Sequence, residues 1–299
     1  MKEPLHPSGL KISRISAGMW RLNEWGKSQR ELHKFTEECI SLGVTTFDHA
    51  DIYGDYGCER IFGKLLKGQK SLREQIELVT KCGICLVSDR KPEHEVTHYN
   101  LSADYIVTSV NQSLVNLNTD YIDLLLIHRP SPLMNADDAA AGLSKVVESG
   151  KVRYIGVSNF TPEQFSLLQS RLDFPLVTNQ VECSLLHTEP IFDGTFEQLQ
   201  ELRTNPMVWS PFGGGDLFTG AGSRVRRIQM ELQRLSDKYD SGPDILALAW
   251  LLKHPVNPFP ILGTGKLSRV KSAVKAYQAE LDLQDWFKLL EASRGEPVP

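Results

Sequence analysis

The chain has 299 residues, of which 41% are hydrophobic and 23% charged, with a formal net charge of -4. This is the composition of an ordinary globular protein, and its slight acidity gives no basis for a nucleic-acid or membrane partner. No apolar run reaches the roughly 20 residues that span a bilayer, the opening MKEPLHPSGLKIS lacks the apolar centre of a signal peptide, and the five scattered cysteines fit reduced thiols; together these predict a cytoplasmic protein.

Along the chain, short apolar or β-branched runs alternate with longer stretches of helical period, the pattern of consecutive βα units around a parallel sheet. Strands are predicted at Ser13 to Ala17, Thr45 to Asp48, Glu77 to Lys81, Tyr121 to Ile127, Tyr154 to Val157, Leu176 to Gln180, Met207 to Ser210 and Pro258 to Leu262. The intervening helices carry start and stop signals: Ser28 caps SQRELHKFTEECISLG with Gly43 just past its end, Ser102 caps SADYIVTSVNQSLVNLN, and Pro162 stands in the first turn of TPEQFSLLQSRL. A terminal helix is expected over Leu281 to Ser293. Eight strand-helix units without long linkers predict an α/β fold with one (β/α)8 TIM barrel over residues 1–299, an N-terminal β-hairpin and an added C-terminal helix. The longest irregular pieces, Gly83 to Asn100 and Phe212 to Ala221, follow strands, where extra length tends to carry function.

The catalytic face of such a barrel lies at the carboxyl ends of its strands. There the sequence places Asp48, Lys81, His128, Ser158 with Asn159, Gln180, and Trp209 with Ser210. The stretch TFDHADIYG adds Tyr53, together with His49, read as a packing or supporting residue, and Asp51, read as a local loop hydrogen-bonder. A strand meeting solvent explains any one polar end; the convergence of a lysine, a histidine and an aspartate is harder to explain that way. A free phenol, with a pKa near 10, is a poor proton donor at neutral pH. A nearby lysine ammonium lowers that pKa, a carboxylate keeps the ammonium charged and oriented, and a histidine donates a hydrogen bond to an oxygen turning negative. Such a set suits addition of hydride to a carbonyl, the hydride coming from a cofactor.

The segments GVTTFDHADIYGDYGCERIFGKLLK, LVTKCG, YIDLLLIHRP, GKVRYIGVSNF, NQVE and WSPFGGG occur in this order and at barrel spacing. From about Gly18 to Ala276 the chain strongly resembles the aldo-keto reductase superfamily, most of all its bacterial oxidoreductase branch. The resemblance implies an NADPH-dependent (β/α)8 enzyme reducing aldehydes and ketones without a metal. Carried over, the catalytic tetrad falls on Asp48, Tyr53, Lys81 and His128, with Tyr53 as proton donor, Lys81 and Asp48 tuning it, and His128 polarising the carbonyl. Contacts to the nicotinamide carboxamide fall on Ser158, Asn159 and Gln180. Trp209 takes the place of the tyrosine usually stacked on the nicotinamide ring. Phosphate contacts are expected from Ser210 and the backbone of FGGGDL, including Phe212, Gly213 and Leu217, where glycines permit close approach. The last strand departs from the family pattern: PILGTGKLSRVKSAVKA puts Gly263 and Thr264 where a Lys-Ser pair is common, followed by Gly265, keeps Arg269, and has Ser272 and Ala273 in place of Glu and Asn. Lys266 is then the candidate replacement cation, and with Arg269 it favours NADPH over NADH through charge-assisted phosphate contacts; the alternative is a solvated helix start.

Met19, Trp20 and Trp25 follow the first strand and are candidates for the substrate pocket, with core packing as the default. Arg129 is a candidate for attracting an anionic substrate, with a surface ion pair as the alternative. HEVTH, residues His94, Glu95 and His98, matches the zinc-protease signature, but that chemistry needs a helix and this segment has no helical character. CGIC, Cys82 to Cys85, follows a strand end rather than opening a helix and reads as incidental buried thiols. The remaining expectations are a small-molecule carbonyl substrate, a monomer and no metal. Some members of the superfamily act mainly as cofactor-sensing partners of other proteins, which is the non-enzymatic alternative.

Overall fold

The computed structural model describes residues 2–298. Eight strands close into a barrel: β1 (Ser16–Gly18), β2 (Thr46–Asp48), β3 (Glu77–Cys82), β4 (Ile122–Ile127), β5 (Val152–Ser158), β6 (Leu176–Glu182), β7 (Met207–Trp209) and β8 (Phe259–Leu262). Each pairs in parallel with its neighbours, and β8 returns to β1 through Ile261↔Ser16 and Leu262↔Ala17. Helices packed outside connect them, so this is the (β/α)8 architecture. Among the described residues no helix is long and apolar enough to cross a membrane.

The helix starts are those written in the sequence. Ser28 forms a reciprocal capping box with Glu31 at the head of Gln29–Ser41, and Thr161 does the same with Gln164 where Pro162 opens Pro162–Gln169. Ser102 accepts from the Tyr105 N–H at the start of Ala103–Leu117. The terminal helix runs Leu283–Arg294 and is capped by Asp282.

The first predicted strand is two strands. Lys11–Ser13 pairs antiparallel with Lys2–Pro4 as the N-terminal hairpin, and the barrel strand begins only at Ser16. At the changeover, side-chain hydroxyls replace ladder bonds: the Ser13 N–H donates to Thr46 Oγ1, and the Thr46 N–H donates to Ser13 Oγ. The hairpin buries Leu5, Leu10 and Ile12 in one apolar cluster with Val79, Leu124, Leu126, Val177, Met207, Phe259 and Ile261. The residues alternating into the barrel are thereby sealed at the amino ends of the strands, leaving the carboxyl ends as the open face.

The first helix after the Tyr53 loop, Cys58–Leu66, is located by close backbone approach. A Cβ on Gly63 would lie 2.0 Å from the Asn116 carbonyl oxygen and 2.7 Å from Leu117 Cα. Gly63→Ala should therefore push this helix off Ala103–Leu117 and lower unfolding stability by about 1–3 kcal/mol, read from a fall in the urea midpoint.

Candidate active site

The tetrad residues come together at the open face. Asp48 ends β2 and is in register with Val79 on β3, so Lys81, two residues on, lies beside it. Lys81 is 1% exposed, and its ammonium donates to three acceptors: Asp48 Oδ2 at 2.7 Å, the His49 carbonyl at 2.8 Å and the Tyr53 hydroxyl at 3.1 Å. Gln180 Nε2 donates to the other Asp48 oxygen at 2.9 Å. His128, just past β4, meets the Tyr53 ring edge-on with ring centroids 5.8 Å apart.

Burial sets the electrostatics. For Lys81 burial works against the charge, but Asp48 and Tyr53 outweigh it and the amine is held above its ordinary value. Tyr53 departs from expectation: burial raises the phenol, Lys81 offsets only part of that, and the net direction is upward. Burial, then Lys81 and Arg129, holds His128 well below an ordinary histidine, so its imidazole is neutral, and its buried Nδ1 has no partner among the described residues.

Tyr53 sits in a turn of unusual backbone. Gly54, Asp55 and Tyr56 all have φ between 52° and 59°, and a Cβ at Gly54 would lie 2.5 Å from Cys58 Sγ. Only a residue without a side chain fits at Gly54. His49 is a packing residue: fully buried, edge-on to Phe62 at 4.7 Å, and lowered to about 3 by burial and then Lys81. Asp51 corrects its reading as a local loop hydrogen-bonder, because it accepts from Ser109 Oγ at 2.9 Å on the helix Ala103–Leu117.

The expected carboxamide contacts hold one another. Ser158 Oγ donates to the Gln180 carbonyl and accepts from Asn159 Nδ2, while Asn159 Oδ1 accepts from Trp209 Nε1 at 3.0 Å. This chain of bonds fixes the half-buried Trp209 ring at the end of β7. Asn159 and Ser210, with φ of 58° and 49°, turn the backbone sharply as β5 and β7 end. After Ser210, three successive glycines, Gly213, Gly214 and Gly215, adopt positive φ. Two expectations here need correction. The Leu217 side chain is fully buried and its N–H turns inward to the Phe212 carbonyl, and the Gly213 N–H turns to the Ser210 carbonyl. Beyond β8, Gly263, Thr264 and Gly265 lead into the helix Leu267–Lys275; Lys266 and Arg269 at its start are exposed and have no ion-pair partner among the described residues.

The substrate-pocket expectations separate. Trp20 is 55% exposed, 6.5 Å from the Tyr53 ring, and stands at the mouth. Met19 is a correction: its side chain is fully buried in the core, and only its N–H reaches the site, donating to the Asp48 carbonyl. Trp25 is another, packing edge-on against Phe35 and closely against Gly265, on the side of the β8 loop. Arg129 lies over Trp209, 5.7 Å from its ring centroid. HEVTH is not helical: it lies in the loop after β3, and only His98 enters a short strand.

One supporting group escaped the sequence reading. Glu59, 1% exposed, accepts from Thr80 Oγ1 at 2.7 Å and Asn116 Nδ2 at 3.1 Å beneath the site. Its signal was present, since Glu59, Phe62, Gly63 and Leu66 share one helical face, three apolar positions and one acid.

A model of the aldo/keto reductase family matches residues 14–294. The oxidoreductase YdhF of Escherichia coli is 48% identical over 98% of this chain and 97% of its own length. A 6-dehydroglucose reductase of Agrobacterium fabrum is 44% identical over 97% of each chain. A thermostable aldo-keto reductase solved with the inhibitor epalrestat superposes with a TM-score of 0.83 at 25% identity, over 98% of this chain and 99% of that one. The chain belongs to the aldo/keto reductase family and is an oxidoreductase.

Burial pushes the Asp51 carboxyl up to about 8, reinforced by Glu59 and opposed by the Ser109 hydrogen bond. Between an ordinary carboxyl value near 4 and about 8, the folded chain therefore holds a proton that the unfolded chain has released, and this contribution to stability is lost as pH rises. His49 and His128 act oppositely, but only below about 6.5, where the unfolded chain takes up protons that the folded chain refuses. Between about pH 6.5 and 8, wild type should lose roughly 1 kcal/mol per pH unit relative to Asp51→Asn, measured by urea unfolding across that range.

Proposed function

We propose that this chain reduces aldehyde or ketone carbonyls to alcohols with NADPH, with Tyr53 as the proton donor and no metal in the chemistry. The observation that carries this reading is the buried ammonium of Lys81 held at once to Asp48 and to the Tyr53 hydroxyl, with a neutral His128 against the same phenol.

The residues present fit a dinucleotide. Trp209 offers a flat face locked through Asn159, the glycine run after Ser210 leaves room for backbone to approach a pyrophosphate, and Lys266 and Arg269 stand uncommitted for a 2′-phosphate. In this reading Ser158, Asn159 and Gln180 hold the carboxamide end; Phe212 belongs to the pyrophosphate cradle, and Gly263, Thr264 and Gly265 bring Lys266 to the ribose. When bound, the reduced nicotinamide supplies the hydride.

The remaining work falls to the side chains. A carbonyl oxygen placed between Tyr53 and His128 takes the phenolic proton as it gains charge, and an Nε2–H on His128 donates to the same oxygen. The nearby Lys81 ammonium steadies the phenolate left behind, and Asp48, itself held by Gln180 and the Met19 N–H, keeps that ammonium in place. Trp20 at the mouth offers an apolar wall for the substrate, and Arg129 beside Trp209 offers a cation to one carrying an anionic group.

Tyr53→Phe should lower kcat by about 10²–10⁴-fold with NADPH affinity retained, followed by absorbance at 340 nm with a panel of aldehydes. That panel should include 6-dehydroglucose, the compound in the name of a relative. Turnover surviving in Tyr53→Phe excludes the proposed proton donor, and tight NADPH binding by wild type without turnover of any carbonyl favours a sensor. Lys266→Ala combined with Arg269→Ala should raise the NADPH Kd by at least about tenfold and leave the NADH Kd unchanged, because a charge-assisted phosphate contact contributes about 1.5–3 kcal/mol. An unchanged NADPH Kd rejects the assigned 2′-phosphate site.

A further inference from the structure

Two sequence features have no part in the carbonyl site: the second cysteine of CGIC and the two histidines of HEVTH. The fold brings them together. Past β3, Gly83 turns the chain at a φ of 110°, and Ile84–Cys85 pairs antiparallel with His98–Tyr99 so that Cys85 lies opposite His98. The loop between these strands folds back to bring in His94. One potential ligand atom from each of Cys85, His94 and His98 lies within 4.8 Å of the other two. The two imidazole rings stand nearly perpendicular, with centroids 5.2 Å apart.

The hydrogen bonds behind these rings decide which nitrogens are available. His94 Nδ1 is 2.9 Å from the Leu86 carbonyl and His98 Nδ1 is 2.8 Å from the Val96 carbonyl. A carbonyl only accepts, so each Nδ1 carries the hydrogen and each Nε2 is left with a bare lone pair. Fixing the ring and its tautomer through the far nitrogen is what metal-binding histidines require of their surroundings. The Cys85 thiol is 1% exposed, with the Tyr105 hydroxyl beside it. The ionisable groups nearby are Asp51, on the Cys85 side, and Lys91 and Glu93, which face each other at 3.8 Å, and Glu93 Oε1 stands 3.9 Å from His94 Nε2.

We propose that Cys85, His94 and His98 form a binding site for Zn²⁺ or a similar thiophilic divalent transition ion, with water in the fourth position. One thiolate and two imidazoles suit such an ion and not Mg²⁺ or Ca²⁺, which take oxygen ligands. On binding, the Cys85 proton leaves to solvent and the sulfur ligates as thiolate. Zn–N bonds of about 2.0–2.1 Å and a Zn–S bond of about 2.3 Å draw the three atoms inward by roughly an ångström, a movement confined to a short surface hairpin and its loop. Glu95, the general base of a zinc protease in the HEVTH pattern, is exposed and takes no part. The ion clips a long loop rather than driving a reaction. Leu86, beside Cys85, accepts from His94 and donates its N–H to the Tyr56 hydroxyl at 2.8 Å, so the clip fastens the β3 loop to the segment that carries Tyr53.

The test is titration of the tag-free, reduced, chelator-stripped chain with Co²⁺, followed by ultraviolet and visible absorption. One equivalent should bind with a thiolate-to-cobalt charge-transfer band, which one equivalent of Zn²⁺ removes and excess Mg²⁺ does not. Cys85→Ser should lose the band, His98→Ala should weaken binding at least tenfold, and Glu95→Gln should bind as wild type does. The exposure of His98 makes its variant safe to fold, so it decides the matter even if Cys85→Ser is unstable. Absence of the band in wild type at saturating Co²⁺, an unchanged band in folded Cys85→Ser, or unchanged affinity in His98→Ala overturns the site.

Discussion

The open face is organised around one buried positive charge. An ammonium removed from water costs several kcal/mol unless it is fully bonded, and Lys81 meets that condition with a carboxylate, a backbone carbonyl and a phenol. Each partner arrives on backbone held by something else: Asp48 by strand register, the His49 carbonyl by the extension of β2, and Tyr53 by a turn that only glycine at 54 permits. The proposed proton donor and the fold share one constraint. A phenol placed to satisfy a buried lysine is also a phenol placed at the mouth of the barrel.

Around this charge the chain accepts local strain and orphaned polar atoms. Asp55, Tyr56, Asn159 and Ser210 occupy the left-handed region, which costs a non-glycine residue about 1–2 kcal/mol. Both nitrogens of His49 and the Nδ1 of His128 are buried without partners among the described residues. Left-handed residues are not confined to the open face, since Asn118, Arg203, Asp240 and Asn257 share the same backbone region elsewhere, but only at the open face do they border the buried charge; the other end of the barrel is packed with apolar side chains from the hairpin and the strands.

The architecture was legible because eight apolar runs alternate with capped helices, and capping boxes at Ser28 and Thr161 are local chemistry that tertiary context does not override. The polar strand ends were legible for the same reason, being marked by where hydrophobicity stops. Asp51 was misread because its partner, Ser109, is distant in sequence, and no periodicity reports such a pairing. Tyr53 was misjudged in sign because a sequence names neighbours but not how much water they displace. Met19 and Trp25 illustrate the same limit: both follow the first strand, yet one faces inward and the other the β8 loop. The histidines of HEVTH were dismissed on correct grounds, since they are not on a helix, but a β-hairpin brought them together by a different route.

The hairpin that seals the barrel floor has a consequence for how the chain is made. Leu5, Leu10 and Ile12 leave the ribosome long before their packing partners Met207, Phe259 and Ile261. β1 likewise waits for β8 before its second edge is paired. Contacts of such sequence separation form late and slowly, because the loop entropy is lost before any burial is gained. The hairpin segment thus emerges well before the strands it docks on, and until β7 and β8 are made the chain carries exposed the apolar side chains that finally lock the barrel shut.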